Sequence, residues 1–244
     1  MEKEDTAFVY TLSSRNKMVQ QCLRSIATLK HFVPETQIKV FYTPPYDEED
    51  EKALRDTGAE IIKKENQTEA FSVSLSQPER HYGEKINLCN LEEETVIFLD
   101  CDTVIGHNIW DVLEGEFDFK ARPGKIQNKD KWKKAFDRFE EEYIDWMPNA
   151  GFMVFKNNTH KEIQEKWIHY LEQDLGLKGR NNMGEQYALA LAVSHKETVK
   201  MSEKEHLMEW LNEKKADANV YHTDQSAGSS TVNILKNLIK RVKP

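Results

Sequence analysis

The chain has 244 residues, 39% hydrophobic and 31% charged side chains, and a formal net charge of −8. That length can bury enough surface to fold without disulfides or a structural metal, and the composition is that of a globular protein with a well-solvated surface. The negative balance leaves no dominant basic field, which argues against a protein whose main business is sequence-independent nucleic-acid binding.

The first element is "AFVYTL" from Ala7, a short strand of β-forming residues. It leads through "SSRN", good N-cap material, into a helix over Lys17–His31, where Met18, Cys22, Ile26 and Leu29 recur at helical spacing. "IKVFYT" (38–43) is a second strand, stopped by Pro44-Pro45; an acidic helix over Glu48–Asp56 and the strand "AEIIKK" follow. Strand, helix, strand, helix, strand predicts a mainly parallel α/β sheet with right-handed crossovers. Tyr82–Leu91 reads as a helix, and "TVIFLD" (95–100) is the most apolar strand in the chain. "DFKA" (118–121) is a further strand candidate. Trp132, Phe136, Phe139 and Tyr143 then predict an amphipathic helix in an insertion near 124–146. "GFMVFK" (151–156) is strand-like, Thr159–Leu175 and Met183–Val193 read as helices, and "ANVYH" (218–222) as a last short strand. No repeat or Gly/Ser-rich linker divides the chain, so one α/β domain over 1–244 is the simplest organisation.

Three cysteines, Cys22, Cys89 and Cys101, lack any paired spacing and read as reduced thiols. The N-terminus has no basic, then apolar, leader pattern, and no window approaches the ~20 apolar residues of a membrane span. A cytoplasmic location is therefore expected. The C-terminal "STVNILKNLIKRVKP", a tail over 231–244, can place Val232, Leu235, Leu238, Ile239 and Val242 on one face, with Lys236, Lys240, Arg241 and Lys243 beside it. Such a segment either docks on the sheet or touches an anionic membrane surface peripherally.

The chemistry concentrates at "VIFLDCDTVIG" (96–106), where an apolar strand ends on Asp100 and, after one residue, Asp102. Ligands of open α/β sheets sit beyond the carboxyl ends of strands. Two carboxylates so close repel each other unless a cation or a shared proton intervenes, and Mg²⁺ or Mn²⁺ takes oxygen ligands. The Asp-x-Asp spacing alone also occurs in turns and caps. Its company sharpens the reading. Asn149-Ala150-Gly151 stands immediately before a strand, Glu185-Gln186 opens a helix, and His222 is a candidate third metal ligand from far along the chain.

On the stretches "FVYTLSSRN", "YGEKINL", "VIFLDCDTVI", "NAGFMVF", "GEQYAL" and "VYH", from about Phe8 to His222, the sequence resembles the nucleotide-sugar-dependent glycosyltransferases of the GT-A fold. The resemblance is to family 8 in particular, with the glycogenins and bacterial lipopolysaccharide galactosyltransferases. It implies a Rossmann-like, mixed and mainly parallel sheet flanked by helices, a UDP-sugar donor, Mn²⁺ or Mg²⁺, and transfer of a hexose with retention to an unknown glycan, lipid or protein acceptor. Carried across, it makes Asp100, Asp102 and His222 metal ligands and puts Tyr10, Thr11 and Leu12 around the nucleotide base. Lys85 falls near the donor phosphates, Asn149 and Gly151 face the donor sugar, and Glu185 and Gln186 lie on its reactive side.

Two departures stand out. Glu185 occupies a position that is usually Asp, one methylene shorter, and no lysine follows His222 until Lys236, where the family often has one on the diphosphate. Without the resemblance, His222 reads as a core histidine, Lys85 as a solvated helix residue and Glu185 as an acid in a first helical turn. Trp132 and Trp146 are acceptor-site candidates or simply helix packing. A sugar-phosphate nucleotidyltransferase and a non-catalytic nucleotide-sugar-binding protein are the rival functions. "TLSSRN" has no glycine-rich phosphate loop, which counts against the first.

Overall fold

The computed structural model describes residues 5–15, 17–66, 71, 77–126, 129–175, 183–208 and 217–222. The C-terminal tail expected over 231–244 lies outside them. Strands β1 (Thr6–Leu12), β2 (Gln37–Tyr42), β3 (Glu60–Lys63), β4 (Thr95–Leu99), β6 (Phe119–Gly124), β7 (Met147–Phe155) and β8 (Thr198–Lys200) form one sheet in the order β3-β2-β1-β4-β7-β6-β8. Three short strands, β5 (Thr103–Ile105), β9 (His206–Met208) and β10 (Val220–His222), make a second sheet in the order β5-β10-β9.

The large sheet is mixed and mainly parallel. β1 pairs in parallel with β2 and β4, β2 with β3, and β6 with β8, while β7 runs antiparallel to both β4 and β6. Alternation along β1 separates two cores. Phe8, Tyr10 and Leu12 face α1 (Met18–Phe32) and α2 (Glu48–Asp56), whereas Ala7 and Val9 face α3 (Lys129–Phe139), α5 (Gln164–Leu171) and α6 (Met183–Ala192). All five residues of β4 are buried, as expected of a strand covered on both faces. Burying each of its large apolar side chains stabilises by roughly 1.5–3 kcal/mol.

The chain leaves β1 for β2 and β3 on one side, then crosses back to β4 on the other, so a topological switch lies between β1 and β4. Their parallel carboxyl ends open a crevice there. β7 delivers its first half to the same edge because it is antiparallel, with Leu99 opposite Phe152 and residues 147–151 running past the end of β4.

Several elements differ from expectation. The helix expected over Tyr82–Leu91 is present as a 3₁₀ helix that begins earlier, Gln77–Asn90. Asn87 and Asn90 donate side-chain hydrogen bonds to the carbonyls of Glu84 and Asn87, each three residues back, which favours the tighter winding. Asn149-Ala150-Gly151 lies inside β7 rather than before it, because the strand extends back to Met147 by pairing Pro148 with Pro123. The helix expected over Thr159–Leu175 is α4 (Thr159–Glu162) and α5, separated at Ile163. Helix α1 has Lys17 at its N-cap, with no side-chain cap hydrogen bond. The insertion helix is α3, but Trp132 is fully buried with its indole N–H donating to the Ile144 carbonyl, and Trp146 is buried against Phe119. Both tryptophans are packing residues and present no sugar platform.

Candidate active site

The acidic pair occupies the turn that joins the two sheets. β4 ends at Leu99, Asp100-Cys101-Asp102 turns, and β5 begins at Thr103. The Asp100 amide donates to the Gly151 carbonyl at 2.7 Å, tying the turn to β7. β10 pairs antiparallel with β5, placing His222 opposite Thr103, one residue from Asp102. Pairing within the small sheet, 120 residues along the chain, therefore brings the histidine to the acids.

Asp100, Asp102 and His222 each present one ligand atom, all within 4.8 Å of one another. His222 Nε2 lies 3.0 Å from Asp102 Oδ1 and 3.7 Å from Asp100 Oδ2. Burial works to lower the His222 pKa, but the Asp102 carboxylate outweighs it and raises it; reciprocally, burial raises Asp102 while His222 brings it below the usual carboxylate range. Gly151 makes room for this cluster. A Cβ there would stand 2.5 Å from His222 Nδ1, closer still to its Cε1, and 2.9 Å from Asp100 Oδ2. Two hard carboxylates and an imidazole at a strand end, with a glycine clearing the space, fit a Mn²⁺ or Mg²⁺ ion.

Lys85 closes the other side. Its ammonium, 3.1 Å from Asp100 Oδ1, donates to the Ala150 carbonyl at 2.8 Å. Burial works against its charge, yet the Asp100 and Glu185 carboxylates hold it at about 12. It is a buried, permanently charged cation rather than the solvated residue its sequence context also allowed. Glu185, in the first turn of α6, is fully buried, and among the described residues neither of its carboxylate oxygens has a hydrogen-bond partner. Burial pushes it up to about 7, against the pull of Lys85 and reinforced by Asp100. Gln186 is buried beside it, with its amide oxygen towards Gly124.

The remaining expected residues divide. Thr11 is partly exposed at the end of β1, whereas Tyr10 and Leu12 turn their side chains into the α1 core, so only their backbone can border a ligand. Asn149 uses its side-chain oxygen to accept the Gly151 N–H at 3.0 Å, which stiffens β7 at the glycine. Cys101 points away from the acids, within hydrogen-bonding reach of the Thr11 carbonyl at 3.6 Å. Its thiol is pushed up by its contact with Cys22 and by burial, an inert spacer.

Two residues escaped sequence reasoning. Tyr82 lies over Lys85 with its ring centroid 5.6 Å from the ammonium; burial raises its phenol, and Asp100, Asp102 and Glu185 add to the effect. His206 is fully buried and stacks on His222 at 5.5 Å and 17°, with Phe152 edge-on to it. Neither follows from spacing: the 3₁₀ winding and the parallel pairing of β9 with β10 bring them in.

Sequence comparison finds no matching family model and no matching curated protein. Structural comparison does find similar folds. A galactosyltransferase, LgtC, in complex with donor and acceptor sugar analogues, superposes with a TM-score of 0.69 at 12% identity over 98% of this chain and 97% of its own. Mouse xyloside xylosyltransferase 1 in its apo form gives 0.57 at 11% identity, covering 91% of this chain and 98% of that one. The glycosyltransferase GlyE of Streptococcus pneumoniae TIGR4 gives 0.60 at 14% identity, covering 97% of this chain and 64% of that one. The fold is that of the GT-A glycosyltransferases, as the sequence resemblance implied.

Proposed function

We propose that this chain is a divalent-metal-dependent glycosyltransferase that moves a hexose from a nucleotide sugar, a UDP-sugar in the first instance, to an acceptor with retention. The observation that carries the reading is the convergence of Asp100, Asp102 and His222 at the switch-point edge, beside a glycine that leaves them space. The fold shared with LgtC, which was captured with donor and acceptor sugar analogues, supports the substrate class.

Asp100, Asp102 and His222 would hold Mn²⁺ or Mg²⁺, which when bound neutralises charge on a leaving diphosphate. This chain's own groups supply the rest. Lys85 is a buried, fixed cation beside Asp100, where it favours negative charge developing on the leaving group. Glu185, whose carboxyl burial raises to about 7, can hydrogen-bond a sugar hydroxyl as donor or acceptor. Gln186 orients the same sugar from the next helical position. Thr11 and the backbone of Tyr10 and Leu12 border the nucleotide, and the β7 backbone at Asn149–Gly151 approaches the sugar closely because glycine carries no side chain.

A thermal-shift screen of nucleotide sugars, with and without Mn²⁺, tests this. A ligand of the folded protein raises its stability by about 2.7 kcal/mol at a hundred times its Kd. The expected result is a shift with one UDP-sugar that depends on Mn²⁺. A flat profile with every nucleoside diphosphate and nucleotide sugar would overturn the proposal.

A further inference from the structure

Three buried hydroxyls connect the sheet, helix α1 and the acidic turn. Tyr10 Oη lies 3.0 Å from Ser25 Oγ, and Ser25 Oγ lies 2.9 Å from Thr103 Oγ1. Thr103 Oγ1 donates to the Asp100 carbonyl at 2.8 Å, and the Thr103 amide donates to the same oxygen at 3.1 Å. All three side chains are fully buried.

The direction of this chain follows from its last member. A carbonyl oxygen only accepts, so Thr103 must give it its one hydroxyl proton. Thr103 therefore accepts from Ser25, and Ser25 accepts from Tyr10. Burial raises the Tyr10 phenol, which keeps it a neutral donor. Hydrogen bonds aligned head to tail polarise one another in a low-dielectric interior. The same stretch of α1 also holds the strand after the turn: Thr28 Oγ1 donates to the Ser25 carbonyl at 2.9 Å and accepts from the Ile105 amide at 3.0 Å.

We propose that Tyr10, Ser25 and Thr103 are positioning residues for the metal site, a one-way hydroxyl chain that anchors the Asp100 carbonyl and so fixes the turn presenting Asp100 and Asp102. The proposal rests on the metal-binding reading of those two acids and His222. It gives Tyr10 a role from the core side of the sheet, where its side chain can touch no nucleotide. A metal site tolerates ligand displacements of only about 0.2 Å. A turn anchored solely by backbone hydrogen bonds at its rim has more freedom than one also pinned from the core.

The test is Mn²⁺ uptake by the metal-free protein, read from the electron paramagnetic resonance of free Mn²⁺, with no substrate present. Thr103→Val and Ser25→Ala are expected to weaken Mn²⁺ binding about five- to tenfold, the scale of one neutral hydrogen bond. Thr103→Ser, which keeps the hydroxyl, stays within about twofold of wild type, since the bond it preserves carries the effect. Tyr10→Phe keeps the ring in the core, so it reports on the first donor even if the other variants fold poorly; about a twofold loss is expected. Thermal melting is recorded beside each titration. Variants that melt earlier yet bind Mn²⁺ as wild type does make the hydroxyls ordinary core hydrogen bonds and overturn the proposal. A Thr103→Ser loss as large as that of Thr103→Val also overturns it. Wild-type protein that takes up no Mn²⁺ overturns the metal reading itself, and the positioning role with it.

Discussion

Replacing Gly151 with alanine should disable the metal site while leaving the fold standing. The added Cβ would sit 2.5 Å from His222 Nδ1 and 2.9 Å from Asp100 Oδ2. Carbon atoms in ordinary contact stand about 3.5–4.0 Å apart, and His222 Cε1 would lie closer to the new Cβ than Nδ1 does, so the imidazole must retreat by more than about 1 Å. It has little room to do so, because His206 stacks on it at 5.5 Å. A retreat of that size exceeds the tolerance of about 0.2 Å in a metal–ligand distance. Disturbing a group that merely orients a ligand costs about 10–100-fold in metal affinity, so displacing the ligand itself should cost at least about 100-fold. Overpacking destabilises by about 1–3 kcal/mol, or about 2–12 °C in Tm for a chain of this size. Mn²⁺ titration and circular dichroism melting measure the two effects separately. A folded Gly151→Ala protein that binds Mn²⁺ with wild-type affinity would refute the assignment of this space to a metal.

Two further predictions concern buried carboxylates. Glu185 is raised by burial to about 7, so the fold favours its protonated form. The resulting cost is absent below the unfolded pKa, near pH 4, grows through the interval and is complete above about 7, where it reaches about 3 kcal/mol. Metal-free Glu185→Gln should therefore match metal-free wild type near pH 4 and exceed it in denaturant stability at pH 8, whereas with Mn²⁺ supplied it should lose transfer activity; equal stability at pH 8 contradicts the burial argument. Glu141 links the segment after α3 to α5 and to the turn that follows α6 by accepting from Lys166 at 2.9 Å, Ser194 at 2.6 Å and Tyr170, with His195 also alongside. Glu141→Gln should lower Tm by about 2–12 °C, the effect of losing about 1–3 kcal/mol of buried hydrogen bonding. Mn²⁺ affinity should be unchanged, because Ser194 lies past the C-terminal end of α6 whereas Glu185 lies in its first turn; a comparable loss of Mn²⁺ binding would show otherwise.

Much of the fold was legible in the sequence because its strands are apolar runs between helical repeats. β1, β2, β4 and α2 fall within a residue or two of expectation. The acids and His222 were legible as residue types, but the pairing that joins them was not. β5 and β9 are three-residue strands whose existence depends on partners distant in sequence. Local preference does not specify such short strands, so His206 carried no signal. For Tyr10 the resemblance named a position at the nucleotide but not the side chain's direction: the period of two along β1 sends its ring to the core and leaves its backbone at the strand end. Glu185 was recognised by position, whereas its complete burial is a tertiary fact.

The most direct test is UDP release from a panel of UDP-sugars by metal-free protein before and after adding Mn²⁺, alongside Asp102→Asn. The account predicts release from at least one UDP-sugar only when Mn²⁺ is present, and a loss of at least about 100-fold in the variant, the scale expected for a disabled ligand. Turnover that ignores Mn²⁺, or an Asp102→Asn protein as active as wild type, would contradict it.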